Sequence, residues 1–253
     1  MTDISLENKT AIVTGASSGI GAATARALAS AGARVALVAR RADRLASLAE
    51  DLNQETKRSD AAVALSADVA TNAGVERAFA DAKTALGSVD ILANIAGVML
   101  VAPVLGTNTD QWRRMVEINL MGLMQLTQKA AEHMVDRKTG HVVNVSSLAA
   151  RHTSSNFAVY SATKFAVAAF TETLRKELIG TGVRTTEIMP GIVKSELAQQ
   201  IEDDVIREDI GRWMESVTPL EPEDIAEAVL FAVTRPPNVA VSEMIVRPTN
   251  EEL

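Results

Sequence analysis

From Thr10 onward, short apolar runs alternate with longer stretches of amphipathic period. Thr10–Thr14, Arg34–Ala39, Ala62–Ala67, Val89–Ala93, Val142–Val145, Val183–Ile188 and Ala240–Val246 read as strands. Ile20–Ala31, Arg41–Glu55, Ala73–Leu86, Asp110–Asp136, Val159–Ile179 and Glu223–Thr234 read as helices. The strand cores, such as AIVT and VALVA, are continuously apolar. Strands buried on both faces of a parallel sheet have that pattern, because neither face meets water. Strand and helix in alternation then predict a doubly wound α/β domain with right-handed crossovers. No Pro/Gly/Ser-rich linker divides the chain, so one domain over 1–253 is expected. Ser195–Pro219 breaks the rhythm with the acidic cluster Glu202-Asp203-Asp204 and with Trp213 and Met214, and predicts a helical lid over the sheet edge.

Composition agrees with a large core and narrows the chemistry. Of 253 residues, 47% are hydrophobic and 23% charged, whereas aromatics are only 3%. The core must therefore be built from Ala, Val, Leu and Ile, which suits close helix-on-sheet packing. A net charge of −7 without a Lys/Arg run argues against nucleic acid and anionic membranes as partners. The absence of cysteine excludes disulfides and thiolate chemistry. His133, His141 and His152 lack a metal-ligand spacing, so no metal is expected. Met1–Asn8 is polar and lacks a signal-peptide core, and a cytoplasmic protein is expected. The apolar stretch Ile91–Gly106 is short for a membrane span and is interrupted by Asn94, Gly97 and Pro103; it reads as a buried strand plus loop.

Candidate chemistry gathers at strand ends. Thr14-Gly15-Ala16-Ser17-Ser18-Gly19-Ile20-Gly21 joins the first strand to the first helix. Glycines there permit positive φ and close backbone approach, and the helix N-terminus offers free N–H groups to a pyrophosphate. A tight turn without a ligand is the bland alternative. Gly15, Ser17, Ser18, Gly19, Ile20 and Gly21 are the candidate contacts. An NAD site offers an acid about 20 residues further on. Here the second strand ends in Ala39-Arg40-Arg41. Arg40 and Arg41 suit a ribose 2′-phosphate, and hence NADP(H), although two solvated arginines remain the alternative. Asp68 and Val69 close the third strand, and Asn94-Ile95-Ala96-Gly97 the fourth. Asp68, Val69, Asn94, Ala96 and Gly97 are further cofactor candidates, since ligands in such folds bind beyond the carboxyl ends of strands.

Tyr160, the single tyrosine, is followed by Lys164 at i+4, which puts both on one helix face. An adjacent ammonium favours the phenolate and so is expected to lower the tyrosine pKa. Ser147 lies at the end of the fifth strand, thirteen residues before Tyr160, where its hydroxyl can donate to a carbonyl oxygen. An ordinary amphipathic Tyr/Lys pair is the alternative when this motif is taken alone.

Together and in this order, these segments closely resemble the short-chain dehydrogenase/reductase family over almost the whole chain. The family's TGxxxGxG matches Thr14–Gly21, and its Ser-x12-Tyr-x3-Lys pattern matches Ser147, Tyr160 and Lys164. Its catalytic asparagine falls on Asn119, and its Pro-Gly element on Pro190-Gly191-Ile192-Val193, followed by Lys194 and Ser195. Two departures stand out: Ile95 replaces a usual asparagine, and Ser195 a usual threonine. The resemblance implies a Rossmann-type fold and an NADP-dependent oxidoreductase interconverting a ketone or aldehyde and an alcohol. It implies that Ser147 orients the carbonyl, Tyr160 transfers the proton, Lys164 binds the nicotinamide ribose, and Asn119 holds a water in a proton relay. Pro190, Gly191, Val193 and Ser195 would then line the nicotinamide end. Within the family, Ala39–Arg41 and Glu243–Thr249 look like the NADP-dependent 3-hydroxy acid/serine dehydrogenase and clavulanate dehydrogenase group. Homotetramers are common among such proteins.

The substrate, a small molecule, is expected to meet Val98, Met99, Ala149–His152, Ile192 and the region of Trp213. Arg151 and His152 are placed to meet a carboxylate, or are solvated loop residues. A non-catalytic NADP-binding sensor on the same fold is the competing function. The set Ser147, Tyr160 and Lys164 argues against it, because a sensor has no need of an acid–base pair.

Overall fold

The computed structural model describes residues 5–251, so the first four and last two residues of the expected 1–253 domain lie outside the described residues. Among the described residues, seven strands form one parallel sheet: β1 Thr10–Thr14, β2 Arg34–Ala39, β3 Ala62–Ser66, β4 Ile91–Asn94, β5 Gly140–Val145, β6 Val183–Pro190 and β7 Glu243–Val246. Their spatial order is β3-β2-β1-β4-β5-β6-β7. The chain winds outward in one direction from β1 and then in the other from β4, which makes a doubly wound, Rossmann-type fold. The order reverses between β1 and β4, and there a crevice opens at the carboxyl ends of the strands.

Alternate strand residues serve two separate cores. Ala11, Val13, Val35 and Leu37 pack on one face with Leu28 and Ala25 of α1 (Gly19–Ser30) and Leu45 and Leu52 of α2 (Ala42–Thr56). Ile12, Ala36, Val38 and Leu92 pack on the other with Val75 and Ala78 of α3 (Asn72–Leu86). The continuous apolar runs in the sequence follow from this, because successive side chains of a strand enter opposite layers.

The expected helix Asp110–Asp136 departs from regularity. It comprises α4 (Thr109–Val116), a π-helical segment Glu117–Gly122, and α5 (Leu123–Asp136). Helix α6 spans Ala158–Glu177. The expected last strand, Ala240–Val246, begins only at Glu243. In the predicted lid, a 3-10 turn Ala198–Gln200 precedes α7 (Asp204–Glu215), and α8 (Pro222–Val233) follows. The acidic cluster in the lid has a local cause: the Asp203 side chain accepts from the Ile206 N–H at 3.0 Å and caps α7, and Asp204 lies in its first turn. Ile201, Ile206 and Ile210 bury against Val98–Val101 and Tyr160, so the lid is seated on the loop after β4. Among the described residues, no helix is long and apolar enough to cross a membrane, and no His/Cys/Asp/Glu group could hold a metal.

Candidate active site

A cleft of about 510 Å³ lies at the carboxyl ends of the central strands. Its floor is the glycine turn. Gly15 has φ +69°, and a Cβ there would lie 2.9 Å from the backbone of Ala96. A Cβ on Gly21 would lie 2.2 Å from the Gly15 carbonyl oxygen. Only glycine permits the turn, the loop after β4 and the first turn of α1 to close together this tightly. Thr14 stitches the same place, its Oγ1 accepting from the Ile95 N–H at 3.0 Å and the Ala96 N–H at 3.1 Å. Ile95, the departure from the family pattern, therefore contributes its backbone, while its side chain packs on the first core. Helix α1 has no side-chain cap from Ser18 and no acid in its first turn. Its N–H groups are left to an anion, as a bound pyrophosphate requires.

Most of the predicted cofactor contacts line this cleft: Gly15, Ser17, Ser18, Gly19, Ile20, Gly21, Arg40, Arg41, Ala96, Gly97, Pro190, Gly191, Val193 and Ser195. Three do not. Asp68 and Val69 are outside the lining, and the Asp68 carboxylate accepts from the Ala70 N–H at 3.1 Å. Asn94 is buried and donates to Thr127 Oγ1 at 2.8 Å and Asn144 Oδ1 at 2.9 Å. Its amide joins β4, α5 and β5 beneath the cleft.

The two arginines also differ. Arg40 is exposed. Arg41 reaches the turn, donating to Ser17 Oγ at 2.9 Å and to Ser18 Oγ at 2.7 Å. It also donates to Glu196 Oε2 at 2.7 Å, and Arg44 donates to Glu196 Oε1 at 2.7 Å. These guanidiniums hold the Glu196 carboxyl down at about 2. Neither Glu196 nor Arg44 is conspicuous in the sequence, since 155 residues separate Arg41 from its partner.

Ser147, Tyr160 and Lys164 line the opposite wall of the same cleft. Ser147 lies two residues beyond β5 and caps the 3-10 turn Leu148–Ala150, its Oγ accepting from the Ala149 N–H at 3.1 Å. That bond occupies an acceptor lone pair and leaves the hydroxyl proton free to donate. The Lys164 ammonium donates to the Val145 carbonyl at 3.1 Å and lies 5.8 Å from the Tyr160 ring centre. The expected depression of the tyrosine pKa is not what the surroundings produce. Burial pushes Tyr160 up to about 12, against which a hydrogen bond with Ser147 works. Burial likewise pushes Lys164 down to about 8, opposed by the Glu187 carboxylate. Desolvation outweighs the pairing because both groups are withdrawn from water.

Asn119 lies in the π-helical segment and is buried behind the cleft wall. Its Oδ1 accepts from the Val98 N–H at 2.8 Å, and its Nδ2 donates to the Val98 carbonyl at 2.9 Å and Thr163 Oγ1 at 3.2 Å. The side chain thus clamps the loop after β4 and ties it to α6. Gly97 fits beside it, where a Cβ would lie 3.3 Å from Asn119 Oδ1 and 3.8 Å from Lys164 Nζ.

Around the expected substrate end, Val98 lines the cleft and Ile192 is buried, whereas Trp213 is 46% exposed. Arg151 is committed to Glu243 at 2.8 Å, and His152 is exposed. Ser146, which the sequence did not single out, lines the cleft and donates to the buried Glu187 at 2.5 Å.

A family model for short chain dehydrogenases matches residues 9–206. This chain belongs to the short-chain dehydrogenase family. It is 40% identical over 98% of its length to the glycine betaine reductase ATRR of Emericella nidulans, of which it spans only 19%. It is 38% identical to an uncharacterized oxidoreductase of Staphylococcus haemolyticus, over 96% of this chain and 98% of that one. Among solved structures, a closed form of serine dehydrogenase complexed with NADP+ superposes with a TM-score of 0.88, at 31% identity over 96% of each chain. The subgroup resemblance noted from the sequence is consistent with that likeness. The chain is thus an oxidoreductase of this family.

Proposed function

We propose that the protein is an NADP(H)-dependent oxidoreductase that interconverts a ketone or aldehyde and an alcohol, with Tyr160 as the proton donor and acceptor. One observation carries the reading: Ser147, Tyr160 and Lys164 share a cleft with a glycine turn whose helix N-terminus is uncapped. The cofactor residues fit the group, since the glycine turn brings the uncapped N-terminus of α1 to the cleft, and Arg41 stands beside that turn. The NADP+ held by the serine dehydrogenase supports the same cofactor. Bound NADPH would supply the hydride to the carbonyl carbon, and NADP+ would accept it in the reverse direction.

The chain's own residues handle the oxygen. Ser147 donates to the carbonyl oxygen as negative charge develops there. Tyr160, neutral at physiological pH with its pKa near 12, gives its proton to that oxygen. The phenolate left behind lies beside the Lys164 ammonium, which stabilises it. In the oxidative direction the same phenolate takes the proton of the alcohol. Asn119 acts by holding Val98 and the β4 loop in place.

The substrate reading shifts with the structure. Val98 and Leu197 line the cleft with apolar side chains and Arg151 is paired with Glu243, so a neutral, moderately apolar carbonyl compound is favoured over a carboxylate. We also propose a homo-oligomer, supported by the large apolar side chains Met121 and Phe165, which stand 42% and 41% exposed on the two long helical runs.

The test is NADPH oxidation across a panel of ketones and aldehydes. Wild type should turn over at least one of them, and Tyr160→Phe should lose about 10²–10⁴-fold while still binding NADPH. Wild type and variant equally inert, with NADPH binding intact, would favour the sensor instead.

A further inference from the structure

The lid contributes an acid to the arginines beside the glycine turn. Glu196 presents its two carboxylate oxygens to two guanidiniums, Arg41 at 2.7 Å and Arg44 at 2.7 Å. Arg41 is simultaneously anchored on Ser17 and Ser18, so its orientation is set by the turn itself. Two convergent guanidiniums at the start of α2, just past β2, have the geometry that binds a phosphate through charge-assisted hydrogen bonds. In this structure a carboxylate of the same chain fills that place.

We propose that Glu196 is a resident anion on the 2′-phosphate subsite, and that a ribose 2′-phosphate must displace it from Arg41 and Arg44. Arg44 thereby becomes a member of the subsite, and Glu196 a residue that determines cofactor specificity. The inference rests on the NADP(H) reading above. Charge gives the direction of exchange. A phosphomonoester carries about −1.5 to −2 against −1 for a carboxylate, so it neutralises two guanidiniums better. The neutral 2′-hydroxyl of NAD(H) brings no charge with which to displace Glu196. All three side chains are partly exposed, at 39%, 46% and 40% for Arg41, Arg44 and Glu196, so the exchange needs no unfolding. Glu196 directly follows Ser195 at the start of the lid, so its release removes the side-chain tie between the lid and the arginines, while Leu197 and Ala198 keep their apolar packing.

The proposal is tested by calorimetric titration with adenosine 2′,5′-bisphosphate and with AMP, which lack the nicotinamide half. Glu196→Gln should tighten the bisphosphate by about two- to tenfold, the range expected for partly exposed ion pairs, and leave AMP within about twofold. Arg44→Ala should weaken the bisphosphate and spare AMP. In wild type, the bisphosphate should quicken amide hydrogen exchange over residues 195–200, and AMP should not. Unchanged or weakened bisphosphate binding by Glu196→Gln would mean that the acid organises the arginines rather than competing for them, and would overturn the proposal. A wild type and an Arg41→Ala variant that both bind bisphosphate no better than AMP would instead remove the NADP(H) reading, and this inference with it.

Discussion

Tyr160 and Lys164 show how burial can reverse an inference drawn from spacing. A one-turn separation on a helix promises an ammonium that lowers a phenol's pKa. In the folded protein both groups are withdrawn from water, and each shifts toward its neutral form. The consequence for stability has a sign. Lys164 falls from 10.5 to about 8 on folding, so between those values the unfolded chain holds a proton that the folded one lacks. Stability contributed by this group therefore rises with pH over that window, on the order of 3 kcal/mol in full. Tyr160 works the other way above its ordinary value of 10, where the unfolded chain loses a proton that the folded one keeps up to about 12. Denaturant titrations of wild type and Lys164→Met from pH 7 to 10 should show wild type gaining on the variant as pH rises. Parallel curves would mean that Lys164 titrates as an ordinary surface lysine. Arg41 and Arg40 give a second lesson at this scale: their adjacency was legible, but which one reaches the turn was set by Ser17, Ser18 and Glu196.

At the scale of elements, the strands and most helices were readable because period and burial coincide. The long run Asp110–Asp136 was not, since a π-helical segment leaves no composition signal. Such segments gather at functional sites, and this one holds Asn119 against the loop after β4. Asn119→Ala should therefore leave the Val98 N–H and carbonyl without their partner, costing about 1–3 kcal/mol. It should also slow kcat by more than it changes the affinity for NADPH, because Val98 borders the substrate end. Thermal melts and steady-state kinetics together check this; a stability loss with kcat intact would make the clamp structural alone. Gly21 belongs to the same scale. Gly21→Ala must push the turn away from α1, because its Cβ meets the Gly15 carbonyl oxygen, and NADPH binding should weaken at least about tenfold. Binding unchanged in a calorimetric titration would show that the turn relaxes freely.

At the scale of the molecule, one cleft collects the ends of β1, β2, β4, β5 and β6. A ligand that fills it couples to the whole fold. NADP+ at one hundred times its Kd should stabilise the protein by about 2.7 kcal/mol. For a chain of this size, that corresponds to a rise in Tm of about 5–10 °C. The same multiple of Kd for NAD+ gives the same shift, so the decisive comparison is at equal concentrations. There NADP+ should raise Tm clearly more than NAD+, and equal shifts would remove the preference for the phosphorylated cofactor.

The sequence by itself determined the class of fold, the sheet's two-sided burial, the glycine turn and the order Ser147, Tyr160, Lys164. These are properties of local period and spacing, which the chain carries wherever it is placed. Only the tertiary structure decided that Asn94 stays beneath the cleft, that Asp68 and Val69 stand outside its lining, and that Arg151 pairs with Glu243. It alone brought Glu196 onto Arg41 and Arg44. Desolvation and long-range pairing depend on which distant segments exclude water from a group, and that is a property of the packed chain rather than of any stretch of it.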